Sequence, residues 1–199
     1  MSNNLAIKVA GLNYWFGRAE ARIQVLFDVN LKVRRGSLTV LVGPSGSGKT
    51  TLLTLMGCLR EVEDGSVNLL EHELRGASTQ LNVSMRRKLG FIFQAHNLHG
   101  SLTALQNVLM GLQVHGTVDP NGQLAAAKHV LELLGLGDRM NYLPANLSGG
   151  QKQRVAVARA LVGNPEVVFA DEPTAALDRE SSSVVVDMIK RLGQVRGTT

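Results

Sequence analysis

Nine consecutive residues constrain everything else in this chain: Gly43-Pro44-Ser45-Gly46-Ser47-Gly48-Lys49-Thr50-Thr51. They satisfy G-x-x-x-x-G-K-[ST] in full, the pattern of a phosphate-binding loop set between a strand and a helix. Both flanks agree. Residues 37–42 (Ser-Leu-Thr-Val-Leu-Val) form an apolar run of strand length, and Thr50 to Leu59 reads as a helix. Glycines tolerate positive φ and let the backbone approach closely, so the N–H groups from Gly46 to Thr51 can wrap a β-phosphate. A helix starting near Lys49 aims its positive dipole end at the same anion. Lys49 then serves the β- and γ-phosphate oxygens, and the Thr50 hydroxyl serves Mg²⁺. A Gly/Ser-rich loop that happens to carry a lysine would explain the loop but not its flanks. The expected ligands are a nucleoside triphosphate and Mg²⁺.

The 199 residues are enough for one sizeable domain, and 44% hydrophobic with 19% charged residues is a globular balance. No stretch is long and apolar enough to span a bilayer; the nearest, Val155 to Ala170, is broken by Arg159, Asn164, Pro165 and Glu166. The start, MSNNLAIKVAG, lacks the basic and apolar regions of a signal peptide, so none is expected. The single cysteine, Cys58, suits the cytosol and reads as a small apolar filler in the helix after the loop. The net charge of +5 is scattered. Its densest run, Met85-Arg86-Arg87-Lys88, has no interleaved aromatic residues and reads as a solvated face, so no nucleic-acid partner is expected.

Leu5 to Phe16 and Val25 to Val33 alternate as half-buried antiparallel strands do, joined by the polar stretch Gly17 to Gln24. Tyr14-Trp15-Phe16 stands out in a chain with 4% aromatics: one of these rings could stack on an adenine, or all could pack the strand end. Ser66 to Leu70 is a short strand, Ser84 to Leu89 one helical turn, and Gly90 to Phe93 a buried strand ending at Gln94. Thr103 to Gln113 and Gln123 to Leu134 carry helical spacing and suggest a separate helical lobe. Ser148 caps an amphipathic helix running through Val162; a Ser-Gly-Gly opening is either a second anion-binding start or an ordinary capped helix. Glu166 to Ala170 is a buried strand ending in Asp171-Glu172, where the first carboxylate could hold Mg²⁺ and the second polarise a water, the plain alternative being surface charge. Thr174 to Asp178 reads as a turn and Ser182 to Val195 as a last helix. The alternation of strand and helix predicts a parallel α/β sheet with right-handed crossovers.

Taken together, GPSGSGKTT, Gln94 in FIFQ, LSGGQ, VVFADEP and Ala176-Leu177-Asp178 resemble the nucleotide-binding subunit of ATP-binding-cassette (ABC) transporters, over essentially the whole chain. GPSGSGKTTLLTLMG and GFIFQAHNLHGSLTALQNV look like the exporter group of lipoprotein-release and macrolide-efflux ATPases, with the DevA-type glycolipid exporter ATPases closest. The resemblance implies a P-loop NTPase fold: a RecA-like parallel core with an antiparallel β subdomain (residues 1–94 and 164–199) and a helical subdomain (95–163), together one nucleotide-binding domain. It implies an ATPase forming a head-to-tail dimer, with ATP and Mg²⁺ held by Gly43, Pro44, Ser45, Gly46, Ser47, Gly48, Lys49, Thr50 and Thr51 of one subunit. Ser148, Gly149, Gly150 and Gln151 of the other would complete the site. Asp171, Thr50 and Gln94 would serve the metal, Glu172 with Gln94 and Lys49 the chemistry, Asp178 the dimer seam and Phe16 the adenine.

It further implies integral-membrane permease partners of the MacB or FtsX kind, a periplasmic adaptor, and a cytoplasmic location at the inner face of the plasma membrane. The family places one more strand, ending in a histidine, after the last helix; no histidine follows Asp171, so a C-terminally truncated form is expected. The functional expectation is ATP hydrolysis powering export of lipid-like, glycolipid or other hydrophobic cargo. The alternatives are a soluble ABC protein outside transport and a nucleotide-binding fragment without turnover.

Overall fold

The computed structural model describes residues 4–113, 119–174, 177, 182–183, 185–187, 189–190 and 197–199. They fall into two compact units, one running to Arg86 and including Thr199, the other from Arg87 to Thr198.

The first unit is built on an antiparallel sheet. β1 (Leu5–Phe16) pairs with β2 (Ile23–Arg34) on one edge and with β3 (Asp64–Leu69) on the other, and β3 carries the short β4 (His72–Glu73). Lys8 lies opposite Lys32, Tyr14 opposite Leu26, and Val9 opposite Val67. The expected alternation holds in the second half of β2, where Val29, Leu31 and Val33 are covered and Asn30 and Lys32 exposed, but β1 departs from it: Ala6 and Ile7 are both buried, and register shifts interrupt its ladder. α1 (Lys49–Met56) follows the loop and buries Thr51, Leu52, Leu55 and Met56. It ends earlier than expected: Gly57 closes it, and Cys58 sits just beyond in a left-handed conformation (φ 59). Cys58 is nonetheless buried, and burial pushes its thiol up to about 11.

Two expectations need correcting here. Residues 37–42 are not a strand. Their backbone is irregular, and Leu38, Val40 and Val42 are exposed. A strand exists through its ladder, and none of the named strands pairs with this segment. The single helical turn read at Ser84 to Leu89 is instead α2 (Thr79–Arg86), begun where Ser78 Oγ accepts from Leu81 N at 3.2 Å. Only Met85 of α2 is buried, which left the sequence little periodicity to show.

In the second unit β5 (Leu89–Ile92) and β6 (Val167–Ala170) pair in parallel, as their continuous apolar runs predict. The helices α3 (Ala104–Gln113), α4 (Pro120–Leu133) and α5 (Gly149–Leu161) share one core. That core includes Val108, Leu112, Val130, Leu131, Leu134, Val155, Ala158 and Leu161. α4 starts before the expected Gln123, because Asp119 caps it by accepting from Asn121 N (3.1 Å) and Pro120 opens its first turn. The final helix is seen in part: the described residues of 182–190 are helical, and the remainder of Ser182 to Val195 lies outside the described residues.

α5 is approached unusually closely from two sides. A Cβ on Gly111 of α3 would stand 2.4 Å from the Arg159 carbonyl oxygen, and one on Gly90 of β5 would stand 2.4 Å from that of Ala160. Both neighbours are backbone and cannot swing away. Gly111→Ala should therefore lower stability by about 1–3 kcal/mol. Gly100→Ala, where nothing lies within 4 Å, should leave the urea midpoint unchanged.

Glu73 carries a second prediction. Burial pushes its carboxyl up, but the Ser66 hydroxyl and the backbone N–H groups of Arg75 and Val67 donate to it and leave it below its ordinary value. A depressed folded-state pKa contributes stability above the unfolded carboxylate range, and that contribution is lost as pH falls through the folded value. Urea midpoints measured from pH 7 downward should fall more steeply for the unaltered chain than for Glu73→Gln.

Candidate functional site

The phosphate-binding loop belongs to the first unit and is shaped as its residue types require. Gly46 (φ 78) and Gly48 (φ 85) both take the left-handed conformation, and Gly48 is the cap from which α1 begins at Lys49. Gly48 also seats the loop on β2, since a Cβ there would lie 2.7 Å from Leu26 Cδ2 and 3.1 Å from the Val25 carbonyl oxygen. Gly43, Pro44, Ser45, Gly46 and Ser47 face solvent, Thr50 is exposed and Thr51 is buried. The Lys49 ammonium donates to the carbonyls of Gly43 and Pro44, at 2.9 Å each, and so spans the loop from below.

The same seating brings the aromatic triplet near. Leu26, under Gly48, is the β2 partner of Tyr14, and Phe16 pairs with Ile23 at the end of the ladder. Tyr14 and Phe16 meet edge to face, with centroids 5.2 Å apart. Arg60, just past α1, lays its guanidinium 4.9 Å from the Phe16 centroid and 5.9 Å from that of Tyr14, and its Nε donates to Thr54 Oγ1 (3.2 Å). Trp15 is covered by Arg22 at 4.4 Å. Phe16 and Tyr14 are thus tied to the helix of the phosphate loop through Arg60. That role had no local signal, because Arg60 lies 46 positions after Tyr14.

The carboxylates and Gln94 belong to the second unit, where the parallel register settles their relation. Ile92 stands opposite Ala170, so Gln94 and Glu172 each lie two residues beyond a matched pair, at the same edge of the sheet. Asp171 N donates to the Ile92 carbonyl (2.9 Å), which extends the ladder to the carboxylate itself. Stacking of Phe91 on Phe169 (5.3 Å) holds the two strands behind that edge. Glu172 is exposed and takes φ 46, a strained value for a residue with a side chain.

The helix at Ser148 opens as expected and adds a reciprocal bond at its cap. Ser148 Oγ accepts from Gln151 N (3.2 Å) while Gln151 Oε1 accepts from Ser148 N (2.9 Å), a reciprocal capping box. Ser148 and Gly149 are exposed, so the tip of a 13-residue helix faces solvent with its hydroxyl proton still available to donate. Asp178 lies outside the described residues. The Arg159, Gln153 and Asn107 contacts that hold the chain after Gln94 had no signal in the sequence. The Arg159 and Gln153 contacts join residues 62 and 57 positions apart, and Asn107, only eight from His99, is a lone buried amide with no pattern around it.

Residues 26–175 match the ABC transporter family. The lipoprotein-releasing system ATP-binding protein LolD of Shewanella oneidensis is 42% identical over 98% of this chain and 85% of its own length. The macrolide export ATP-binding/permease protein MacB of Aggregatibacter actinomycetemcomitans is 42% identical over 94% of this chain; the match spans only 29% of that relative's length. Among solved structures, the ATP-binding cassette MJ0796, described as dimeric and bound to ADP and Pi in a post-hydrolysis state, is 36% identical. It superposes with a TM-score of 0.88 over 97% of this chain and 85% of its own. The phosphate loop, the acidic strand end, the helix capped by Ser148 and these likenesses lead to one conclusion: the chain belongs to the ABC transporter family, as its ATP-binding ATPase domain.

Proposed function

We propose that the chain hydrolyses ATP and so powers export through a separate membrane permease. The observation that carries this reading is the β5–β6 register, which sets Gln94, Asp171 and Glu172 at one edge within the second unit. Lys49 and the loop amides of Gly46 to Thr51 bind the phosphates. Thr50, Asp171 and Gln94 offer hydroxyl, carboxylate and amide oxygens, a hard donor set suited to Mg²⁺ held chiefly by phosphates, with few protein carboxylates. The metal would neutralise charge developing on the phosphate oxygens. Glu172 takes the proton of the attacking water, Gln94 orients that water, and Lys49 stabilises the γ-phosphoryl in flight.

The solvent-facing Ser148 hydroxyl and the Gly149 and Gly150 amides, with Gln151 bracing the cap, suit a γ-phosphate presented by a second copy. A head-to-tail dimer is therefore the proposed working form, with Asp178 at its seam. Phe16, carried beside the phosphate loop by β1, is the proposed adenine platform. Residues 1–94 and 164–199 are read as the core with its β subdomain, and 95–163 as the helical lobe, of one nucleotide-binding domain. Among the described residues no helix is long and apolar enough to cross a membrane. The proposed place is the inner face of the plasma membrane, through a MacB- or FtsX-like permease with a periplasmic adaptor; the likeness to LolD and MacB supports a membrane permease partner. Within that group, a DevA-like role in exporting glycolipid or similar hydrophobic cargo is the proposed assignment.

Phosphate release from Mg-ATP by the purified chain, beside Glu172→Gln, tests the chemistry. The variant should lose about a hundredfold or more while still binding ATP. Equal release from both would remove Glu172 from the mechanism. In sedimentation, ATP should drive Glu172→Gln from monomer to dimer, and a monomer at saturating ATP would overturn the head-to-tail arrangement.

A further inference from the structure

Beyond β5 the chain makes a turn whose backbone no regular structure supports. His96 (φ 59) and Asn97 (φ 48) are consecutive left-handed residues with side chains, a conformation that costs of order 1 kcal/mol at each and persists only when something outside the turn holds it. What holds it is α5. The Arg159 guanidinium donates to the His96 carbonyl (Nη2, 2.8 Å) and to the Asn97 carbonyl (Nη1, 2.6 Å), filling the notch that the two left-handed residues open. Arg159 is itself half-buried, and burial draws its pKa below the ordinary value, so these two carbonyls are what meet its charge there.

A second attachment lies six residues earlier on the same helix. Gln153, 1% exposed, accepts through Oε1 from His96 Nδ1, while its Nε2 is buried without a partner. Leaving a buried amide donor unsatisfied costs about 1–3 kcal/mol, so a glutamine kept here must do something a leucine could not. Six helical residues rise about 9 Å, so His96 is held at two separated points along α5 and cannot pivot on either. The far side of the loop is fixed as well. Asn107, fully buried on α3, accepts from His99 N and donates to the carbonyls of His99, Leu102 and Thr103. Between the end of β5 and this clamped stretch, Gln94 and Ala95 are left exposed on a short tether.

We infer that Arg159 and Gln153 are positioning residues for Gln94: they fasten the turn behind it to the helix that opens at Ser148, so the orientation of Gln94 follows that of α5. The inference rests on the proposed role of Gln94 in hydrolysis. It supplies a mechanical link, inside one unit, between that residue and the exposed helix tip. Contact at the tip that tilts α5 moves the His96–Asn97 turn with it and swings Gln94.

The test uses the full chain and separates positioning from mere support. Gln153→Leu removes the buried unpaired amide together with the hold on His96. It should unfold at the same or higher urea than the parent, yet lower kcat about tenfold with KM for ATP changed less than about twofold. Arg159→Gln should lower kcat likewise, with part of the loss recovered in Arg159→Lys. In a Gln94→Ala background each loss should shrink to within about twofold, since a residue acting through Gln94 has nothing left to position. A full further loss in that background, or unchanged kcat in Gln153→Leu, overturns the inference.

Hydrogen exchange gives a readout that does not depend on turnover. The amides of His96 and Asn97 should exchange about tenfold faster in Gln153→Leu and Arg159→Gln, while that of His99, held by Asn107, should not change. If the unaltered chain releases no phosphate, hydrolysis falls as a reading. The exchange arm then decides the fastening alone, and unchanged rates at His96 and Asn97 overturn it.

Discussion

Backbone approach to α5 is the constraint from which the second unit follows. Gly90 on one side and Gly111 on the other come within reach of two successive carbonyls near the end of that helix, Ala160 and Arg159. Side chains at either position would push β5 or α3 outward. With both elements pressed against it, α5 can place Val155, Ala158 and Leu161 in the common core while keeping Arg159 close enough to catch the turn after β5. The parallel pair β5–β6 is then set by α5 behind it and by the Phe91–Phe169 stack within it, and the acidic edge inherits that rigidity. Small residues here are a packing requirement with chemical consequences, because the helix they admit also carries the exposed Ser148 tip.

The parts of this molecule that were legible in the sequence are those whose signal is local. The phosphate loop encodes its own backbone conformation in Gly46 and Gly48, the Ser148 cap announces its helix, and continuous apolar runs mark β5 and β6. The failures have the same origin. Residues 37–42 carry a strand-like run, but pairing is a property of two segments and cannot be read from one. α2 hid because a helix that buries one side chain has no face to declare. The aromatic triplet could be recognised but not ordered. What distinguishes Phe16 and Tyr14 from Trp15 is which arginine covers each: Arg22, a few residues on, for Trp15, and the distant Arg60 for the other two.

The two units also differ in how they hold their functional groups. In the first, the phosphate loop gains its shape from glycine dihedrals and from its seat on β2, with few side-chain hydrogen bonds needed. In the second, Gln94 and Glu172 sit at the ends of strands whose continuation is strained, at His96 and Asn97 on one side and at Glu172 itself on the other. Strain of this kind is tolerated where neighbouring contacts over-determine the backbone, and the density of bonds around residues 96–107 meets that condition.

Lys49 gives the phosphate loop a threshold. Its ammonium already has two neutral acceptors, the Gly43 and Pro44 carbonyls, placed by the same turn that offers the amides. An incoming anion does not meet a bare cation. It must offer more than those carbonyls do: the two existing bonds are already charge-assisted on the donor side, and an ionised oxygen adds the attraction of a second charge. A singly charged anion offers little beyond that exchange, whereas a polyphosphate can engage the lysine and the loop amides together. The geometry of Lys49 thus favours ligands that carry several ionised oxygens over those that carry one.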